Sequence, residues 1–311
     1  MKAFVYDKKY PKKLVLKELD IPSPKENEVL IKVRTVSINA ADYRSIKMGL
    51  KPKRKVFGSA VAGTIEKIGK EVIDYNIGDD VIVDLADFGF GGLAEYAIAP
   101  ISTIALKPNN ISFEEAATLP VAATTALRAV KYKGDLQPNQ KVMIVGASGG
   151  VGSFAIQMAK VLEGKVTGVC SSRNVDQTKE LGAHQVIDYE KVNFMDDGQK
   201  YDLILAVNGD YSIVGFKKKL NPNGRFVVVG GSLKQIFKTI FFGWALSIGS
   251  KKIKFLSAKS NSNDLSEVGR LASKGKILPC IENIFRYSDT PLALSEIING
   301  RARGKLVIKV C

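Results

Sequence analysis

The segment KVMIVGASGGVGSFAIQMAK, residues 141–160, constrains the fold more than any other stretch. An apolar run, Lys141–Val145, opens directly into a turn that carries Gly146, Gly149 and Gly152, with Gly150 beside the middle one. An amphipathic stretch follows. Strand, glycine turn and helix in that order form the first half of a βαβ unit. There the missing Cβ atoms let the backbone turn tightly, let a pyrophosphate approach and let helix and strand pack closely. The amides of Ser148, Gly149, Gly150, Val151 and Gly152 then point at the phosphates, at the positive end of the helix dipole. A glycine turn can also be purely structural. The βαβ setting of this one points to a dinucleotide.

The surrounding pattern supports that setting. After the turn, strands alternate with helical stretches: KVTGV, QVID, DLILAV, RFVVVG and IKFLSA. This is the signature of a parallel sheet. Before it, short alternating runs separated by turns (KAFVY, NEVLIKVRTVSI, VAGTIEKIG, DDVIVDL, AEYAIAP) read as a compact, mostly β domain. Between the two, SFEEAATLPVAATTALRAVKY has helical apolar spacing, opened by a capping box of Ser112 and Glu115. A helix, NDLSEVGRLASKG, and a final strand, GKLVIKV, close the chain. The fold class is therefore α/β. A mostly-β domain of residues 1–115 and 255–311 is interrupted by a doubly wound parallel-sheet domain, 116–254.

The second strand after the turn decides which dinucleotide. An NAD site places Asp or Glu at its end, about 20 residues on, to grip the ribose hydroxyls. Here the strand KVTGV ends at Cys170 and runs into Ser171, Ser172 and Arg173. Two hydroxyls and a guanidinium suit an adenosine 2′-phosphate. NADPH is expected.

Of the 311 residues, 46 are Lys or Arg against 31 Asp or Glu, a net charge of +15. Such an excess suits an anionic partner: a membrane surface, nucleic acid or a phosphorylated ligand. The lysines fall in short clusters (DKKYPKK, KPKRK, GFKKKL) without interleaved aromatics, which disfavours a single-strand nucleic-acid binder. A basic solvated surface is the plainer reading. The N-terminus lacks the apolar core of a signal peptide. The apolar stretch TIFFGWALSIG (239–249) is shorter than the about 20 residues a bilayer span requires. Cys170, Cys280 and Cys311 show no metal spacing, and an odd, sparse set fits a reducing cytoplasm.

Taken in order, DIPSPKENEVLIKV, SINAADYRSIKMG, FGSAVAGTIEKIG, IGDDVIV, GGLAEYAIAP, ATLPVAATTAL, GASGGVG and LGAHQVIDY resemble the medium-chain dehydrogenase/reductase superfamily nearly end to end. Within it the chain resembles the zinc-free quinone oxidoreductases, in particular the chloroplast-envelope homologues and their bacterial relatives. The resemblance implies a GroES-like catalytic domain joined to a Rossmann domain, and a homodimer. Zinc-dependent relatives carry a Cys where this chain has Asn39, and a His-Glu pair where it has Ser59-Ala60. Residues 83–100 hold no cysteine, and His184 is the only histidine. The zinc site of the superfamily is not expected here.

Without a Lewis acid, alcohol oxidation is hard to arrange. Hydride addition to a quinone, or to the C=C of an α,β-unsaturated carbonyl, needs only a bound flat acceptor and a donor for the developing enolate oxygen. Asn39 and Tyr43 are the candidate donors, against a structural turn and core packing respectively. Asp42 reads as the cap of the helix YRSIKMG rather than a base. The resemblance places Thr125 beside the cofactor, Tyr189 near the adenosine phosphate and Lys305 near the cofactor. Each also has an ordinary structural reading. Asn208 and the strand end VVVGG, with Gly230, approach the cofactor at the carboxyl end of the sheet. His184 reads as a loop residue. The stretch IFKTIFFGWALSIGSKKIKF has three readings: a core or dimer-interface helix, the lining of an apolar acceptor pocket, or a membrane-docking surface. A rival to the reductase is a non-enzymatic NADPH-binding protein, either a redox sensor or a nucleic-acid-binding module.

Overall fold

Alternating apolar runs become strands, and longer periodic ones helices. In chain order these are β1 (Lys2–Tyr6), β2 (Leu14–Glu18), β3 (Glu28–Ser37), α1 (Ala40–Lys47), β4 (Ala60–Ile68), β5 (Asp80–Asp84), β6 (Tyr96–Pro100), β7 (Ile104–Leu106) and α2 (Phe113–Thr118). Then come α3 (Thr124–Leu127), β8 (Lys141–Val145), α4 (Gly150–Val161), β9 (Lys165–Cys170), α5 (Val175–Glu180), β10 (Gln185–Asp188), β11 (Tyr201–Ala206), α6 (Ile213–Lys218), β12 (Leu220–Val228), α7 (Leu233–Leu246) and β13 (Lys252–Phe255). The chain closes with α8 (Ser262–Ser273), β14 (Ile281–Arg286), α9 (Thr290–Ile298) and β15 (Lys305–Lys309). This computed structural model describes residues 1–7, 9, 14–50, 52, 55–231, 233–247, 249–257, 259–300 and 302–310. Cys311 and parts of the basic stretches DKKYPKK and KPKRK lie outside them.

Two units form: Met1–Thr124 with Lys259–Cys311, and Thr125–Ala258. In the first, the strands order β14-β15-β3-β4-β5-β7, with β6 also on β3 and β1 paired with β2. Its core includes Phe4, Ile31, Val61, Val81, Phe285 and Ile308. The pairing that builds the site is local. Ser37 at the end of β3 stands opposite Ala60, which opens β4, and opposite Val307 of β15.

In the second unit six parallel strands order β10-β9-β8-β11-β12-β13. Helices cover the sheet, so β8 and β11 are apolar along nearly their whole length rather than alternating. The order reverses between β8 and β11, and ligands of such sheets bind beyond the carboxyl ends at that switch point.

The run 112–132 is not one regular helix. The capping box forms, with Ser112 N–H donating to Glu115 at 2.8 Å and Glu115 N–H to Ser112 Oγ at 3.2 Å. But α2 gives way at Leu119–Ala123 to a π-helical turn, and Arg128–Lys133 form a second. Pro120 lacks an N–H to continue the α-helical ladder. Because α2 and the first π turn pack on β3, β4 and β5, the units divide at Thr124/Thr125. The sequence pattern put this boundary at 115/116.

Among the described residues no helix is long and apolar enough to cross a membrane.

Candidate functional site

The glycine turn has the geometry its spacing implies. Gly146 sits at φ +85°, and a Cβ there would stand 3.1 Å from Asn208 Cβ. This is the residue that turns the chain out of β8 and brings Asn208, beyond β11, against the turn. A Cβ at Gly152 would lie 2.1 Å from Gly146 O, so α4 leaves the strand too closely for any side chain. Gly149 is different. A Cβ there would meet only Gly146 O, at an ordinary 3.6 Å. Nothing within the protein demands glycine at this position, which is the N-cap of α4. The space a side chain would fill lies where the first-turn amides of α4 lack helical partners. Gly230, past β12, is held by its N–H to Ala206 O at 3.2 Å. Thr125 is buried on α3.

Around the ends of β8 and β9, buried side chains already pair. Asn174 Nδ2 donates to Ser148 Oγ and to Ser171 Oγ, both at 3.0 Å. Asn174 Oδ1 is buried with no hydrogen-bond partner. A helix start whose first-turn amides lack helical partners, space at Gly149 and an orphaned acceptor fit a dinucleotide pyrophosphate and its ribose.

The loop after β9 differs from the sequence expectation. Ser172 is exposed, but its Oγ donates to Asp188 Oδ2 at 2.6 Å and its N–H to Glu190 Oε2 at 3.0 Å. The acid missing from the end of β9 is thus supplied by the end of β10. The pairing of Asp188 with Cys170 across the two strands explains why. The hydrogen bond from Ser172 holds the Asp188 carboxyl below its usual range, against the opposing pull of desolvation. Arg173 is exposed on the same loop. Tyr189 follows Asp188, half exposed, and lines a cleft of about 330 Å3 with Phe194 and Tyr211. Cys170 is buried, and burial pushes its thiol up. His184 accepts the N–H of Val166 at 3.1 Å through Nδ1, a loop contact.

In the first unit the register of β3, β4 and β15 gathers Asn39, Ser59 and Lys305. Asn39, 5% exposed, caps α1. Its Nδ2 donates to Ser37 O at 2.9 Å and Ser59 Oγ at 3.2 Å, and its Oδ1 accepts from Lys305 Nζ. Lys305, 2% exposed, also donates to Ile38 O at 3.2 Å. Asp42 takes part in capping α1, as expected, but as the N3 partner of the N-cap Asn39 in a capping box. It lies in the first turn, and its carboxylate accepts from Asn39 N–H (2.9 Å), Gly58 N–H (3.1 Å) and Ser59 Oγ (2.8 Å). Burial pushes the Asp42 carboxyl up to about 6, against those hydrogen bonds. Burial pushes the Lys305 ammonium down to about 7, against the pull of Asp42. Tyr43, next on α1, is half-buried with the Arg44 guanidinium 5.9 Å from its ring centroid.

Comparison with known proteins bears on both units of the chain. Residues 25–109 match the alcohol dehydrogenase GroES-like domain, and residues 181–308 the zinc-binding dehydrogenase family. A chloroplastic quinone-oxidoreductase of Triphysaria versicolor is 32% identical, over 94% of this chain and 92% of its own. The chain belongs to the medium-chain dehydrogenase/reductase family. A chloroplastic NADPH-dependent alkenal/one oxidoreductase of Arabidopsis thaliana is 30% identical, over 99% of this chain and 79% of its own. The structure of the quinone oxidoreductase from Coxiella burnetii superposes with a TM-score of 0.89 at 30% identity, covering 100% of this chain and 99% of that one.

As a medium-chain dehydrogenase/reductase, the protein has a donor set that does not fit the metal of its zinc-binding relatives. Asn39 and Ser59 are hydrogen-bonded to each other, and an ammonium, Lys305, points at Asn39 Oδ1. A dication would face that cation. Among the described residues no three His, Cys, Asp or Glu side chains converge as a metal group.

Two participants went unread in the sequence: Ser59, as a hydrogen-bonding partner of Asn39 and Asp42, and Asn174. The N-x-x-D spacing of Asn39 and Asp42 signals the capping box of α1 and not Ser59, which strand pairing brings to it. Nothing in the sequence marks Asn174.

Proposed function

We propose that the protein is a zinc-independent, NADPH-dependent reductase that reduces quinones or the C=C bond of α,β-unsaturated carbonyls, acting as a homodimer. The observation that carries this reading is the Asn39–Ser59–Lys305 cluster in place of a metal site, in a chain whose second unit holds a dinucleotide turn. The names of the related quinone and alkenal/one oxidoreductases support the acceptor class.

When bound, the nicotinamide cofactor supplies the hydride. The chain's own groups do the rest. Gly150 and Val151 present amides to the pyrophosphate, and Gly149, whose own N–H donates to Gly146 O at 3.3 Å, leaves the room for it. Asn174, Ser148 and Ser171 line the ribose side, and Arg173 with Tyr189 reads the 2′-phosphate. Thr125, Asn208 and the backbone at Gly230 hold the nicotinamide half. Tyr43 donates its hydroxyl proton to the acceptor oxygen as negative charge develops there. Asn39 has both amide protons committed within the protein, so it serves by fixing Lys305 and the start of α1. Quinones and enones suit such a site because they are already electrophilic and need no Lewis acid.

The test is NADPH consumption with a panel of quinones, alkenals and simple alcohols. Turnover is expected with the first two. Oxidation of simple alcohols beside an inert quinone and enone panel would overturn the reading.

A further inference from the structure

The loop between β5 and β6 contains the run DFGFGG, residues 87–92. Gly89, Phe90 and Gly91 lie in succession at φ +88°, +66° and +132°. This left-handed region suits glycine and is costly for a bulky side chain. Among the described residues the other non-glycine residues that adopt it are Lys55, Asp135, Asn139, Glu163 and Asn223. Lys55 and Glu163 are exposed, and Asp and Asn tolerate the region. Phe90 is the one large apolar residue in the set. A turn that needed only to change direction would carry a third glycine here. Backbone held in such a conformation clusters at ligand sites.

The surroundings hold Phe90 in place. Its N–H donates to Leu85 O at 3.0 Å. Before it, Leu85 N–H donates to Ser59 O at 2.7 Å; past it, Gly92 N–H donates to Gly58 O at 2.9 Å and Leu93 N–H to Phe57 O at 2.7 Å. The loop is thus fastened to residues 57–59. The same segment serves the Asp42 carboxylate through Gly58 N–H and Ser59 Oγ, so it lies along α1, the helix that carries Tyr43. The ring of Phe90 meets that of Phe57 with centroids 5.5 Å apart and planes at 55°. Phe57, fully buried, meets Tyr6 edge-on at 6.2 Å. The Tyr6 hydroxyl stands at the far end of α1, 3.7 Å from where a Cβ on Gly49 would lie. Three rings therefore form a row beside α1, and the half-buried Phe90 ends it on the loop side.

We propose that Phe90 is the specificity-determining residue of the acceptor site: its ring stacks on the flat ring of a quinone and so favours quinones over open-chain alkenals. The inference rests on the reductase reading above and narrows its acceptor class. A quinone presents an electron-poor planar ring that a phenyl group can meet face-on with an offset or edge-on. An open-chain alkenal presents only a short conjugated segment and gains little from the same wall. The anchors of the loop fix the Phe90 ring before the acceptor arrives, so little conformational freedom is lost on binding.

Two variants test this. Phe90→Leu keeps the bulk and removes the ring, and Phe90→Gly suits φ +66° and removes the side chain. KM and kcat are measured with NADPH and either duroquinone or crotonaldehyde. Binding of duroquinone to the protein–NADP+ complex, which has no hydride to give, is measured by calorimetry. Phe90→Leu should raise the KM and the dissociation constant for duroquinone about 3- to 10-fold, and Phe90→Gly about 10-fold or more. Both should raise KM more than they lower kcat, and both should cost crotonaldehyde less than duroquinone. Circular dichroism and the thermal midpoint check that the variants fold, and either variant alone suffices. Equal losses with the two acceptors would make Phe90 a general support of the site and overturn the proposal. So would duroquinone constants unchanged in the variants, or a wild type whose kcat/KM is higher for crotonaldehyde. A wild type that reduces neither acceptor would sink the reductase reading. The calorimetric titration judges Phe90 apart from that reading: no duroquinone binding, or binding indifferent to Phe90, overturns the proposal.

Discussion

Lys305 donates to the side-chain oxygen of Asn39, a residue 266 positions away in the chain. The contact exists because β15 begins at Lys305 and pairs antiparallel with the end of β3, which places Val307 opposite Ser37. Asn39 is in turn bound to Ser59, at the entry to β4, and Asp42 to both Asn39 and Ser59. A cation, a carboxylate and two neutral groups thus satisfy one another away from water. An unpaired charge there would be strongly destabilising.

The first expectation concerns metal. A site whose oxygen donor already faces an ammonium has no room in its electrostatics for a dication. The purified protein should carry no stoichiometric zinc by elemental analysis, and chelators should leave NADPH consumption unchanged. One zinc per chain, lost together with activity, would overturn this.

The cluster also predicts a split between two neighbouring residues. Asn39→Ala removes the acceptor of a buried ammonium and should cost about 1–3 kcal/mol of stability, read from the urea midpoint, with turnover falling more than cofactor affinity. Tyr43→Phe removes only a hydroxyl from a half-buried side chain. Its stability should stay within about 0.5 kcal/mol while turnover falls and the dissociation constant for NADPH holds. A Tyr43→Phe enzyme with wild-type turnover on both quinones and enones would remove Tyr43 from the mechanism.

Stability should depend on pH through this cluster in two opposite limbs. Burial lowers the Lys305 pKa to about 7, from an unfolded value near 10.5. Between those values the unfolded chain binds more protons, so stability rises with pH above 7. Burial raises the Asp42 pKa to about 6, from 3.8. Between those values the folded chain binds more protons, so stability falls as pH rises from 3.8 to 6. The penalty from both groups is therefore greatest between about 6 and 7. Lys305→Met should flatten the upper limb and Asp42→Asn the lower one, each by at most about 1.4 kcal/mol per pH unit. Denaturant midpoints across the pH range measure both limbs. An upper limb unchanged in Lys305→Met would show that another group titrates.

Much of this was legible in sequence because it is local. The spacing of Gly146, Gly149 and Gly152 implies strand, turn and helix, and the fold contains all three. The capping box at Ser112 and Glu115 forms as written. What escaped is what strand pairing creates. Ser172 is bound to Asp188 and Glu190 only because β10 lies parallel to β9, a neighbour relation that no spacing within the loop discloses. The Lys305–Asn39 contact depends in the same way on which strand ends meet. The π turn at Leu119–Ala123 was hidden by an apolar period that helical and π-helical backbones share over so few residues.

Those carboxylates sharpen the prediction on cofactor choice. Arg173, exposed on the loop after β9, is proposed to grip the 2′-phosphate of NADPH, with Tyr189 beside it. A hydrogen bond to a charged group contributes about 1.5–3 kcal/mol. Arg173→Ala should therefore weaken NADPH by about 10- to 150-fold and leave NADH nearly unchanged, since NADH lacks the phosphate. The loss should shrink at high salt, because an exposed pair is screened. Asp188 acts in the opposite sense. Its ionised carboxylate holds Ser172 at 2.6 Å and repels a phosphate on the same loop. Asp188→Asn should accordingly strengthen NADPH and leave NADH unchanged or weaker. Dissociation constants for both cofactors, in wild type and in the two variants, decide the matter. Equal losses for NADPH and NADH in Arg173→Ala would mean that Arg173 supports the loop and does not read the phosphate. A wild type that prefers NADH, and loses it in Asp188→Asn, would mean that Asp188 grips the ribose hydroxyls, as an acid at the end of β9 does in an NAD site.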